Sequence, residues 1–383
     1  MVRGALHSLY RRVDRPYASA LTLSFGTVAA LVYSALAVRS YFTLTSSVAA
    51  PTWLTRVGAS SLHDVVLNGL MTIFFYAIGL ELRRELTSGA LRHMRDAVAP
   101  LAGALGGMIV TAGASLALGA LLSSAPLRRG WGVPMATDLA FTLGALTLAG
   151  PRVPRSLRTF LLTLAVADDV LSVVALLVVG AKRLDGIWLI AVTVLVAVAW
   201  WLGRRPRSAI VSVAVLVALW FCFVQAHLDP SLAGVLAGVF VSGAGPTQAQ
   251  LERGAARLST LLVLPLFGFV AVGLHWSQVH FSGTPGTVVM VTVAVRLVGK
   301  VIGVSAGALL ASRWGFRLPA GMTRSMLVAT ATLCAMGFTV PLLFASTLFG
   351  ATNGVYVAYS LGLLIATVLS GVVGIVALRA ALR

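Results

Sequence analysis

Long apolar runs alternate along this chain with short segments rich in arginine. Twelve runs read as helices that cross a bilayer, near 18–38, 62–82, 97–122, 131–149, 157–180, 186–202, 209–226, 231–244, 258–274, 286–311, 327–349 and 355–377. A crossing helix takes about 17–25 mostly apolar residues, because backbone polar groups in hydrocarbon must be satisfied within the segment. The eighth run is short and also reads as re-entrant. The fourth and eleventh carry glycine and proline in their middles. No long polar segment interrupts the series. The expectation is therefore an all-α polytopic membrane protein forming a single transporter domain over 1–383, with a bundle over 18–377, a cytoplasmic N-terminal segment at 1–17 and a cytoplasmic tail at 378–383.

Composition agrees with this pattern. The 383 residues are 58% hydrophobic and 10% charged, with a mean hydropathy of +0.96. A soluble domain carries about 25% charged residues, so this chain has too little polar surface to cover itself in water. The first apolar run, from Ala18, exceeds the about 7–15 residues of a signal-peptide core and reads as an uncleaved span. Cys222 and Cys334 both lie in apolar runs and suggest neither a disulfide framework nor a metal cluster.

The net charge of +18 gains meaning from where it sits. With the N-terminus in the cytoplasm, the inside segments hold 21 of the 29 Lys+Arg residues, the outside segments hold six, and Arg296 and Lys300 stay within a span. This is the positive-inside asymmetry, with both termini cytoplasmic. It removes nucleic acid as a partner, since the charge is spread over short loops, and attraction to anionic lipid headgroups accounts for it.

Five charged side chains lie deep in the predicted spans: Asp138, Asp168, Asp169, Arg296 and Lys300. A charge at mid-membrane costs at least about 2.5 kcal/mol and marks function by default. Adjacent helical residues point about 100° apart, so Asp168 and Asp169 cannot both face one partner. One plausible arrangement turns one carboxylate to a water-filled cavity and the other to a cation, with Lys300 the natural candidate. In "GWGVPMATDLAFTLG", Gly132, Pro134 and Thr137 precede Asp138 and favour a helix break. In "LVATATLCAMGFTVPLLFAS", Gly337 and Pro341 do the same. On this topology the two interrupted spans run in opposite directions, the pointer to an inverted-repeat secondary transporter. Asp138 then neutralises half-helix N-termini and Lys300 the opposing C-termini.

The blocks "FFYAIGLELRREL", "GWGVPMATDLAFTLG", "FLLTLAVADDV", "LAGVLAG", "LPLFGF", "LVGKVIG" and "MGFTVPLLFAS" resemble, in order, the signature blocks of the NhaA family of sodium/proton antiporters. The resemblance runs from about Asn68 to Leu378. Broken crossing helices and inverted repeats are that family's known architecture, here implied for spans four and eleven. The resemblance further implies that Asp169 is the central ion and proton site, that Asp168 joins in Na+ binding and pairs with Lys300, and that Thr137 and Asp138 sit at the helix crossing. It implies electrogenic exchange of Na+, and also Li+, for H+ at the cytoplasmic (inner) membrane, without a cofactor, by a homodimer. It assigns a pH-regulating cluster to Glu81, Arg84, Glu85 and Glu252. The first three share a helical face.

Chemistry supports such an exchange. Na+ is a hard cation that prefers oxygen ligands, and a carboxylate in low dielectric holds its proton more tightly. One site contested by two cations gives obligatory exchange if access alternates. Departures from the family pattern are Asp229 in place of a histidine in "DPSLAG", Ala271 in "FVAVG", Asn68 in "LNGLM", and Arg296, an added cation one turn before Lys300 that is placed to compete for carboxylates. His7, His63, His93, His275 and His280 lie near ends or loops. An intramembrane aspartyl protease also uses two aspartates, but neither "MATD" nor "VADD" supplies its GxGD motif. A non-transporting sensor or scaffold is opposed by the intact Asp138, Asp168, Asp169 and Lys300.

Overall fold

The computed structural model describes residues 17–46, 61–89, 94–180, 185–202, 209–240, 246–276, 279, 281–316, 318–351 and 353–383. The expectations for residues 1–16, for the arginines at 204, 205 and 207, and for His7, His93 and His280 lie outside them. Among the described residues all regular structure is helical. In chain order the helices are α1 (Ala18–Leu36), α2 (Val38–Ser46), α3 (Leu62–Thr87), α4 (Met94–Leu121), α5 (Ala125–Arg129), α6 (Leu139–Ala149), α7 (Arg155–Gly180), α8 (Gly186–Leu202), α9 (Ala209–Gln225), α10 (Pro230–Phe240), α11 (Thr247–Ala271), α12 (Gly283–Arg313), α13 (Arg324–Leu333), α14 (Thr339–Phe349) and α15 (Gly354–Ala381).

Each of the twelve apolar runs contains helix. Among the described residues seven helices, α1, α3, α4, α7, α11, α12 and α15, are long and apolar enough to cross a membrane, and five shorter apolar helices, α6, α8, α9, α10 and α14, complete the series. Large apolar side chains stand outward: Phe25 is 74% exposed, Leu36 82%, Val178 71% and Ile210 79%. Water would penalise that surface at about 25 cal/mol per Å², and lipid does not.

The chain divides into two compact units, one of Met1–Arg84 and Leu177–Leu274 and the other of Glu85–Leu176 and His275–Arg383. In the first, α1 packs along α11, and α9 packs with α8 and α10. Asp229 caps the turn that opens α10, accepting from Ser231 N–H at 3.1 Å and Ser231 Oγ at 2.6 Å. In the second, α4 packs along α12 and α15 along α12 and α13. Its core gathers Ala104, Leu146, Phe160, Leu164, Val304 and Leu333.

Small residues allow the α4–α12 approach. A Cβ on Gly106 would stand 2.3 Å from the Gly303 carbonyl oxygen, and one on Gly303 equally close to that of Gly106. Such close backbone contact is how helices associate where lipid removes the hydrophobic drive. It fixes the α12 turn that ends at Lys300, whose side-chain carbons lie against Gly107.

Within α12 the stretch Val295–Lys300 is wound as a π-helix, and α3 and α11 contain similar turns at Val65–Leu70 and Ser259–Val263. Such turns often accompany functional sites. The one in α12 carries both Arg296 and Lys300.

Both interrupted segments break, with two corrections. In the fourth, residues 131–138 are not helical at all, and α6 starts only after Asp138. In the eleventh, the gap is 334–338, and Pro341 lies inside α14. Proline in a first helical turn removes no hydrogen bond, so Pro341 starts the second half rather than breaking the span. The half-helices α6 and α14 are each 11 residues long and each ends at a glycine of positive φ, Gly150 or Gly350.

Candidate functional site

The second unit brings the five buried charges of the spans together with both breaks. Asp168 and Asp169 lie mid-way along α7, 0% and 3% exposed. Lys300, fully buried, donates from Nζ to Asp168 Oδ1 at 2.7 Å and also to the Met135 carbonyl. The other Asp168 oxygen accepts from the Thr137 N–H at 2.6 Å. Asp168 is thus held both by a cation and by the backbone of the first break.

Asp138 joins the two half-helices. Its Oδ1 accepts from Ala140 N–H at 3.0 Å and Phe141 N–H at 3.3 Å, the first turn of α6. Its Oδ2 accepts from Thr339 N–H at 3.2 Å and Thr339 Oγ1 at 2.9 Å, at the start of α14. Helix N-termini carry unpaired N–H groups and partial positive charge, and one carboxylate serves both. Its own N–H donates to the Met336 carbonyl at 2.8 Å.

The carbonyls of the breaks are satisfied one by one. Thr137 Oγ1 donates to Cys334 O at 2.8 Å. Arg296 donates from Nε to Ala335 O at 2.9 Å, from Nη1 to Pro134 O at 3.2 Å and from Nη2 to Ala136 O at 2.9 Å. Thr367 Oγ1 donates to Gly337 O at 3.1 Å. Every carbonyl from Pro134 to Ala136 and from Cys334 to Gly337 therefore has a donor, as burial away from water demands. From the sequence, Arg296 is placed where it could compete with Lys300 for carboxylates. Instead all three of its nitrogens go to carbonyls, a fork that a lysine cannot match. It also takes the carbonyl beyond α13 that the sequence reading left to Lys300. Gly337 makes room for it, since a Cβ there would lie 2.0 Å from Nη2.

A family model described as "Na+/H+ antiporter 1" matches residues 11–378 of this chain. The chain belongs to that Na+/H+ antiporter family. It is 34% identical over 339 residues to the Na(+)/H(+) antiporter NhaA of Pectobacterium carotovorum, covering 85% of each chain. It is 36% identical over 343 residues to that of Salmonella arizonae, covering 86% of this chain and 87% of the relative. Against Na(+)/H(+) antiporter NhaA 2 of Frankia alni the identity is 39% over 338 residues, covering 84% of this chain and 68% of the relative.

The remaining predicted residues of this family member lie in the first unit or at its edge. On α3, Arg84 pairs with Glu81 at 3.4 Å and with Glu252 of α11. Glu85 follows one turn after Glu81 on the same helix. The Asn68 carbonyl accepts from Trp220 Nε1 at 2.6 Å, and Ala271 is buried at the end of α11. Thr339 and Thr367 were not singled out from sequence. Thr339 stands just after the Gly337 break, where an N-terminal oxygen or carboxylate partner is expected, and that was its available signal.

Proposed function

We infer that this chain works as its family does. It is a membrane antiporter that exchanges Na+ for H+, a transporter and not an enzyme. One observation carries the reading to particular residues. Counted as ionised, the three buried carboxylates among the described residues exceed the two buried cations by one negative charge, which one Na+ or one H+ would neutralise. Two cations competing for that charge cannot both be bound, and competition becomes coupled exchange when access alternates between the two faces.

Within this reading Asp169 is the exchanging carboxylate. Asp168 contributes to Na+ binding and is restrained by Lys300. Thr137, Asp138 and Lys300 compensate the ends of the broken helices so that the site can exist at membrane depth. The equal lengths of α6 and α14, their shared glycine ends and their common cap at Asp138 support an inverted repeat of twelve spans whose fourth and eleventh cross. The positive-inside count supports cytoplasmic termini and an inner-membrane location. Li+ transport, homodimerisation, pH control through Glu81, Arg84, Glu85 and Glu252, and electrogenic exchange, which takes a second proton beyond the one this charge count binds, complete the proposal.

The test is a cation-triggered pH change in everted vesicles, run across pH with Na+, Li+ and K+. Na+ and Li+ should each collapse a preformed proton gradient, and K+ should not. A silent response to Na+ at every pH would overturn the function.

A further inference from the structure

Buried hydroxyls on the helices of this chain usually donate to a carbonyl one turn back. Thr111, Thr142, Thr163, Thr330 and Ser360 all do so. Ser172 does not. It is 0% exposed, and its Oγ has no hydrogen-bond partner. A buried hydroxyl without a partner costs about 1–3 kcal/mol, so each one calls for a reason.

Its position supplies one. Ser172 lies on α7, four residues after Asp168 and three after Asp169. Residues three and four apart on a helix are neighbours on one face, with Cβ atoms about 5–6 Å apart, so the Ser172 oxygen shares a buried stripe with both carboxylates. Among the described residues, the other unpartnered side-chain oxygens of the same unit, on Ser124, Thr292 and Ser305, belong to other parts of the chain. Asp168 already accepts from Lys300 on one oxygen and from Thr137 on the other, so it offers a cation only its remaining lone pairs. A small hard cation at Asp169 therefore needs further oxygen donors, and hard cations complete their shells with neutral oxygens alongside carboxylates.

We propose that Ser172 Oγ is a neutral ligand of the transported Na+, coordinating it together with Asp169. The hydroxyl is left without a protein partner because the cation is its partner. This rests on the Na+/H+ exchange reading above and adds to it a ligand that the two aspartates do not reveal.

The test uses purified full-length protein reconstituted in liposomes, with wild type, Ser172→Ala and Ser172→Cys compared for Na+-triggered proton movement and for thermal unfolding without Na+. Losing a ligand that binds ground state and transition state alike raises KM and leaves the maximal rate. Outer-shell partners alone are worth about 10–100-fold in metal affinity, so both variants should raise the apparent KM for Na+ by about tenfold, with the maximal rate within about twofold of wild type. The thermal midpoint of Ser172→Ala should equal or exceed that of wild type, because the deleted hydroxyl had nothing to bond in the absence of Na+. An unchanged KM in both variants would overturn the proposal. So would a rise in the alanine variant alone, which would indicate lost volume rather than lost oxygen. A marked drop in thermal midpoint, or failure of Ser172→Ala to fold, would reveal a structural partner and overturn it as well. Absence of exchange in wild type would instead reject the function on which the proposal stands.

Discussion

Lys300 meets Asp168 with both side chains wholly out of solvent, whereas Arg84 meets Glu252 with the arginine 45% exposed and the glutamate 19%. The two clusters use the same chemistry in opposite settings. In the buried one, Asp138, Asp168, Arg296 and Lys300 are each tied to two or more groups, because no water is there to replace a lost partner. In the exposed one, water can. Truncating one member of a buried pair strands a charge and costs about 3–5 kcal/mol, while an exposed pair contributes about 0–1 kcal/mol. The buried cluster is therefore suited to holding a geometry and the exposed one to changing state at little cost.

Substitutions can break or sharpen that contrast. The largest effect is expected for Asp169→Asn, which should abolish Na+-triggered proton movement while the protein still inserts and runs as a folded species on gel filtration. Near-normal exchange would remove the titratable carboxylate from the mechanism. Next is Asp168→Asn, which should slow exchange less and destabilise more, by about 3–5 kcal/mol, since it strands the Lys300 ammonium. Adding Lys300→Met should restore much of that loss in a double-mutant cycle, and strict additivity of the two changes would argue against a coupled pair.

Arg296→Lys keeps the charge and loses the fork. With fewer of its three carbonyls served, thermal stability should fall by about 2 kcal/mol, in the range of a buried acceptor left unpaired; no change would mean that the breaks hold without it. In the exposed cluster, Arg84→Ala should alter stability by under about 1 kcal/mol yet shift the pH at which exchange reaches half its maximum. A superimposable pH profile would take Glu81, Arg84, Glu85 and Glu252 out of regulation. The smallest effect is expected at Asp229, whose carboxylate is spent on capping Ser231: Asp229→Asn retains the cap and should leave both stability and pH profile unmoved, and a shifted profile would assign that position a sensing role.

Much of this was legible in the order of residues. Apolar runs locate helices because hydrocarbon admits little else, so the boundaries of α1, α7, α9 and α15 follow closely from the pattern. That Lys300 would meet one of the two aspartates was legible in the residues, and the family resemblance singled out Asp168. Less legible was what spans distance in the chain. Asp138 and Thr339 lie 201 positions apart, and nothing local to "CAMGFTV" names its partner. Arg296 was visible as a charge, but its preference for carbonyls depends on breaks that exist only after folding. The π-wound turn beneath it leaves no simple mark, since its composition is that of the helix around it.

The glycine contact between α4 and α12 has a mechanical consequence. With Gly106 and Gly303 facing each other's carbonyl oxygens, neither helix can slide lengthwise without driving backbone into backbone. The two form a coupled strut, and any displacement of the turn bearing Lys300 is transmitted to α4 as a whole instead of being absorbed by side-chain rearrangement. Stiffness at that point comes from the absence of side chains, so the smallest residues in the protein set how far its central cation can travel.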